Sequence, residues 1–264
     1  MFNKIVFVTI FLFTISYANK NLTIMTELLA PISSFNTKEQ KLKGIAVKIV
    51  KKILEDINYT NKIYIQPWDV AYDNIKYNKN KIIIAMVKTK QREDLFKWVG
   101  PIININSNLY KRSNDNITIK NYNDAKKVKY VTVVSKYPEY EILKSMDFDN
   151  LFEVYSVIGS IRGLINNRVD LITVGDIVLD FSISQAQIDN TLIKNTNLLI
   201  LSNKLYIAFS RDVSDDIINK WQKSLNKLIK SGIYKKEFIK SFNDAKKYFN
   251  IKKEIDITNF LVKN

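Results

Sequence analysis

Apolar and polar positions along the chain switch between a period of two and a period near 3.6, which predicts strands and helices in alternation. Residues 22–26 alternate as a strand, with Glu27 at its C-terminal end. A loop with Pro31, Ser33 and Ser34 follows over residues 28–43 and leads to Gly44. Residues 45–57 predict a helix, with Ile45, Ile49 and Ile53 on one face against Lys48, Lys52 and Asp56. A strand is predicted at 63–66, and Pro67 then opens a second helix at the position where its missing N–H costs nothing. On that helix Trp68, Tyr72 and Ile75 fall one above another. The apolar residues 82–87 predict a buried strand, so the order so far is βαβαβ, the mark of a mostly parallel sheet.

Residues 86–101 read MVKTKQREDLFKWVGP. Thr89 predicts a helix N-cap, because its hydroxyl accepts an N–H from the first turn, and Arg92 would stand in that turn. An arginine beside free helix N–H groups suits an anion, since its guanidinium grips a carboxylate with two parallel hydrogen bonds. The plain alternative is a solvated surface charge.

Beyond this stretch, residues 104–112 predict an extended crossing, and the pattern then begins again. Strands are predicted at 128–134, 151–155 and 169–174, and helices at 138–146, 157–166 and 176–184. Residues 198–201 and 205–210 predict a return crossing. Asp212 or Ser214 would cap a helix over 215–230. Gly232 ends that helix, and 233–242 forms a last short one. The charged residues beyond 247 predict a loosely docked tail.

The 264 residues carry a formal net charge of +15. The lysines stand singly or in pairs among Ile, Asn and Tyr, without a basic block, so nucleic acid is not expected as a partner. Cysteine and histidine are both absent, which excludes disulfides, thiolate nucleophiles, imidazole bases and the usual zinc sites. Neither a metal nor a cofactor is expected. Lys4, the apolar residues 5–15 and Ser16-Tyr17-Ala18 predict a secretory signal peptide over residues 1–18 and an exported, periplasmic protein.

The run of strand, Thr89, Arg92-Glu93, aromatic and Pro101 resembles the signature of the type 3 extracellular solute-binding proteins, the periplasmic receptors of polar amino-acid ABC transporters. Gly44 with its helix, Pro67-Trp68, Asn167-Arg168-Val169-Asp170 and Ser231-Gly232-Ile233-Tyr234 extend the resemblance over about residues 21–242. It implies an α/β, two-lobe periplasmic-binding-protein fold of type II, each lobe a mostly parallel sheet flanked by helices, with two hinge crossings. Lobe 1 would comprise residues 19–107 and 204–245, lobe 2 residues 108–203, and the tail residues 246–264.

The resemblance further implies a ligand between the lobes, with Arg92 on its carboxylate and Trp68 stacked on it. Glu27, Tyr72, Thr89 and Tyr137 would lie nearby, and Asp176 would reach its amino group or cap a helix. The chain also departs from the family pattern. Val87 stands near the position of a hydroxyl residue, Ser135-Lys136-Tyr137-Pro138 replaces a small-residue turn, and Gly175 falls where an acid grips the amino group. These departures favour a small carboxylate or other anion over an ordinary amino acid. The implied partner is an inner-membrane ABC permease, or a membrane sensor, engaging a monomer. A periplasmic dehydratase on the same scaffold is the alternative, with Glu27 or Asp176 recruited to catalysis.

Overall fold

The computed structural model describes residues 22–262, so the signal-peptide segment 1–18 lies outside the described residues. The chain runs β1 (Thr23–Thr26), a small hairpin β2 (Ser34–Asn36) and β3 (Lys41–Lys43), α1 (Ile45–Asp56), β4 (Ile63–Ile65), α2 (Trp68–Tyr77) and β5 (Lys81–Val87). It continues through β6 (Phe96–Arg112), α3 (Tyr122–Lys126), β7 (Val131–Val134), α4 (Pro138–Ser145), β8 (Leu151–Val154) and α5 (Val157–Ile165). β9 (Leu171–Gly175), α6 (Asp176–Ala186), β10 (Ile193–Ser210), α7 (Asp215–Lys230) and α8 (Ile233–Tyr248) complete it.

Eight of these strands form one sheet in the order β4-β1-β5-β10-β6-β9-β7-β8. β4-β1-β5 at one end and β9-β7-β8 at the other are parallel, and the joins through β10 and β6 are antiparallel. Each end is thus a parallel α/β unit, as the alternation predicts. The two units share β6 and β10, of 17 and 18 residues, which pair from Phe96–Ser210 to Arg112–Ile193. The two crossings expected near 104–112 and 198–205 are the second half of β6 and the middle of β10, and β10 fuses the two segments expected at 198–201 and 205–210.

In the first unit Ile45, Ile49 and Ile53 of α1 are fully buried, and Trp221 of α7 meets Phe209 of β10 edge-on at 5.1 Å. Gly44 enters α1 at φ 125°, and a Cβ there would come within 2.4 Å of the Ile32 carbonyl oxygen, so only glycine fits.

Several expectations fail, each for a local reason. Thr89 caps no helix: residues 90–95 form consecutive turns, with Arg92 N–H donating to Thr89 C=O at 3.1 Å and Leu95 N–H to Arg92 C=O at 3.0 Å. Phe96, Trp98 and Val99 pair with β10, and β-forming side chains on a sheet outweigh a helix of a turn or two. The helix-dipole argument for Arg92 therefore falls. Asp212 accepts from Asn80 N–H and Ser210 Oγ, and Ser214 holds the N-cap position of α7 without a side-chain bond. The strand predicted from 128 starts at Val131, where pairing with β8 begins. α8 runs on to Tyr248, carried by buried Ala245 among exposed polar residues.

The tail is docked rather than loose. Phe260 and Leu261 are buried, and Asn104 Nδ2 donates to the carbonyls of Asn259 at 3.1 Å and Leu261 at 2.8 Å.

Candidate functional site

Arg92, in the turn after β5, is 1% exposed and lies where the two α/β units meet. Its Nη2 donates to the Lys136 carbonyl at 2.8 Å and stands 3.5 Å from Glu141 Oε1. Its guanidinium carbon lies 5.1 Å from the centroid of the Tyr72 ring. Nε and Nη1 are buried without a partner, and so is Thr89 Oγ1 in the same turn. A buried N–H without an acceptor costs about 1–3 kcal/mol, more on a charged group, so native interiors rarely keep one without reason. Two such N–H groups and one buried hydroxyl fall within four residues, and a single acceptor placed here would answer both N–H groups. The solvated-charge alternative is excluded by burial alone.

The surrounding residues come from both units. Trp68, first in α2, is buried; its Nε1 donates to the same Lys136 carbonyl at 3.0 Å, and its ring meets Tyr137 edge-on at 5.4 Å. Tyr72, one turn on, packs edge-on against Phe96 at 5.8 Å. From the second unit, the turn after β7 reaches across. Lys136 adopts φ 59° and pairs with Asp73 at 2.6 Å, and the Tyr137 hydroxyl donates to Glu27 Oε1 at 2.7 Å. Glu27 follows β1, so strand ends β1, β5 and β7 converge on one cleft, as the α/β switch-point rule requires.

Six of the seven residues singled out in the sequence are thus gathered: Arg92, Trp68, Thr89, Glu27, Tyr72 and Tyr137. Asp176 stands apart. It opens α6, accepts N–H groups from Ile177 at 2.8 Å and Asn106 at 3.3 Å, and borders a separate cavity of about 430 Å³ with Tyr110, Asp180 and Lys253.

Residues 22–244 match the model of the bacterial extracellular solute-binding proteins, family 3. The chain belongs to that family. No curated protein matches this solute-binding protein in sequence. Among solved structures it is similar to an ancestral arginine-binding protein bound to arginine, with 20% identity and a TM-score of 0.73 over 84% of this chain and 97% of that one. It is similar to the amino acid ABC transporter substrate-binding protein AbpA of Streptococcus pneumoniae bound to L-arginine, with 17% identity and a TM-score of 0.72 over 86% and 96%. A histidine kinase sensor domain with similarity to periplasmic binding proteins superposes at a TM-score of 0.75 with 14% identity, over 83% and 95%. These likenesses establish the fold.

One buried acid beside this cleft was not singled out from the sequence. Glu139, in the first turn of α4, is 5% exposed; Ser107 donates to its Oε1, and its Oε2 is buried without a partner. The only available sign was an acid in the first turn after Pro138, which ordinarily means a solvated helix N-terminus.

Burial pushes the Glu27 carboxyl up to about 7; the Tyr137 hydrogen bond works against this and the Glu139 charge adds to it. Glu139 is raised as well, by burial first, with the Ser107 bond and the Arg92 charge opposing. An acid raised on folding binds its proton more tightly in the native state. Its contribution to stability is intact below the unfolded value of 4.5 and is lost as pH rises through about 7. Glu27→Gln removes that loss. We expect the melting temperature of Glu27→Gln relative to wild type to rise between pH 5 and pH 8; a difference that stays flat contradicts the raised carboxyl.

Proposed function

We propose that this protein is an exported receptor that captures a small carboxylate-bearing solute between lobe 1 (residues 19–107 and 204–245) and lobe 2 (residues 108–203). The observation that carries this is Arg92, buried at 1% exposure with Nε and Nη1 lacking partners. A ligand carboxylate would take those two donors, with Thr89 Oγ1 beside it, while Trp68 and Tyr72 supply apolar walls and ring faces. An amino acid is the favoured class, in keeping with relatives of the same fold solved with arginine and with glutamine. The chain acts in the periplasm, as a monomer without catalytic activity, and hands its ligand to an ABC permease or reports it to a membrane sensor.

Binding here means closure. Lys136 and Tyr137 already bridge the lobes through Trp68, Arg92 and Glu27, the contacts expected of a closed form, and β6 with β10 supply the hinge. Mass spectrometry of small molecules released from the purified protein should recover a carboxylate-bearing solute. Recovery of a cofactor-like or uncharged compound in stoichiometric amount contradicts the reading. Small-angle scattering with that solute at saturation should show a smaller radius of gyration than without it, and an unchanged radius contradicts hinge closure.

A further inference from the structure

We propose that the first α/β unit carries a second binding site, a lysine-lined groove between the β2–β3 hairpin, α1 and α8 that takes a small anion bearing several phosphate groups. The groove lies within residues 34–51 and 237–248, so it stands apart from the interlobe cleft and does not depend on that cleft being the solute site.

Three observations carry it. First, the fold gathers lysines that stand apart in the sequence. The groove, of about 660 Å³, takes Lys38, Lys41 and Lys43 from the hairpin, Lys48 and Lys51 from α1, and Lys240 and Lys247 from α8. These seven cations face three acids, Glu39, Glu237 and Asp244.

Second, the positive charge is poorly answered. Lys43 pairs with Glu39, and Lys48 stands 3.7 Å from Glu237, while Lys38, Lys41, Lys240 and Lys247 form no ion pair among the described residues. Lys51 donates to the Leu42 carbonyl at 3.1 Å, which ties α1 to the hairpin without neutralising it. Burial, and then Lys48 and Lys41 beside it, push the Lys51 ammonium down, so an anion in the groove would relieve a crowding already present.

Third, the shape selects the partner. The volume is that of a small-molecule site, and the lysines surround a concavity floored by buried Val47 and Ala245, which a flat bilayer surface does not fill. A lysine ammonium is a point charge without the planar fork that suits a single carboxylate. Such a ring of lysines answers charge density, which clustered phosphates supply.

The test is calorimetry with inorganic tripolyphosphate at low salt, where screening is weakest. Wild type should bind one per chain. The chain carries a formal net charge of +15, so the variants are compared at equal charge. Lys48→Gln, Lys51→Gln and Lys240→Gln together should weaken binding by about tenfold or more. Lys120→Gln, Lys194→Gln and Lys223→Gln together, all exposed and outside the groove, should weaken it by less than about twofold. Glu237→Gln removes an acid whose Oε2 makes no hydrogen bond and should strengthen binding by about threefold, which gives a second reading if the groove variant folds poorly. Arg92→Ala should bind tripolyphosphate as wild type does. The proposal is overturned if wild type does not bind, if the two triple variants lose affinity equally, or if the loss appears in Arg92→Ala instead, which would put the anion in the cleft. Phosphatidylglycerol vesicles separate a free anion from a lipid headgroup: they should retain both triple variants equally, and a selective loss in the groove variant would assign the groove to a membrane surface.

Discussion

Replacing Arg92 by Ala should weaken ligand binding by about 2–5 kcal/mol, roughly thirty-fold to several thousand-fold. Arg92 is fully enclosed, its guanidinium lies over the Tyr72 ring, and two of its donors lack an acceptor. Truncation would leave a ligand carboxylate desolvated with no partner, and in a closed cleft water cannot replace it. Arg92→Lys keeps the charge but exchanges a planar fork for a point ammonium, so most of the loss should persist. Calorimetry of the three proteins decides the matter. Affinities within a factor of about two of wild type would remove Arg92 from the site.

The second large effect belongs to the other buried arginine. Arg112, at the end of β6, has its donors occupied: Nη1 binds the carbonyls of Leu164 and Val169, Nε binds Asp115 at 3.0 Å, and Nη2 pairs with Asp115 at 2.8 Å and Asp170 at 3.5 Å. It ties α5 and the start of β9 to the long strand. Arg112→Met fills much of the volume but strands two carbonyls and two carboxylates, and should cost about 3–5 kcal/mol of stability. Guanidinium unfolding monitored by circular dichroism should show the lower midpoint, while ligand affinity of the folded fraction stays near wild type. The two arginines thus make opposite predictions. The satisfied one governs stability, the unsatisfied one governs binding, and a reversal of that pattern would contradict the reading of both.

Much of the fold was legible because the signals were local. The one-sided apolar face of α1, the proline openings of α2 and α4, and the β-branched run of β5 each decide their own element. Where pairing over long distances decided the outcome, the sequence misled. Thr89 looked like a helix cap because the cap signal is short-range, whereas the start of β6, from Phe96 to Val99, is fixed by partners in β10 more than 100 residues away. The docked tail was hidden for the same reason: Phe260 and Leu261 follow a stretch that mixes isoleucines with charges, and their docking goes with Asn104 and with Tyr234, whose hydroxyl accepts from Val262 N–H at 3.1 Å.

The site divides along the same line. Arg92, Trp68 and Tyr72 were readable through the motif and the helical spacing, but not the pair of unmatched Arg92 donors on which the binding proposal rests. Glu139 was invisible because an acid in a first helical turn is ordinary on a surface. In the fold it is buried, with Ser107 of β6 donating to its Oε1.

The most direct measurement of the central claim is a double-mutant cycle across the contact itself. Wild type and Arg92→Ala would each be titrated with the released solute and with its carboxamide derivative, which keeps the shape and removes the charge. If Arg92 grips the carboxylate, the two changes should be strongly non-additive, with a coupling of about 2 kcal/mol or more, since losing either partner forfeits the same interaction. Additivity within about 0.5 kcal/mol would mean that the carboxylate and Arg92 do not meet, and the clamp at the centre of this account would be wrong.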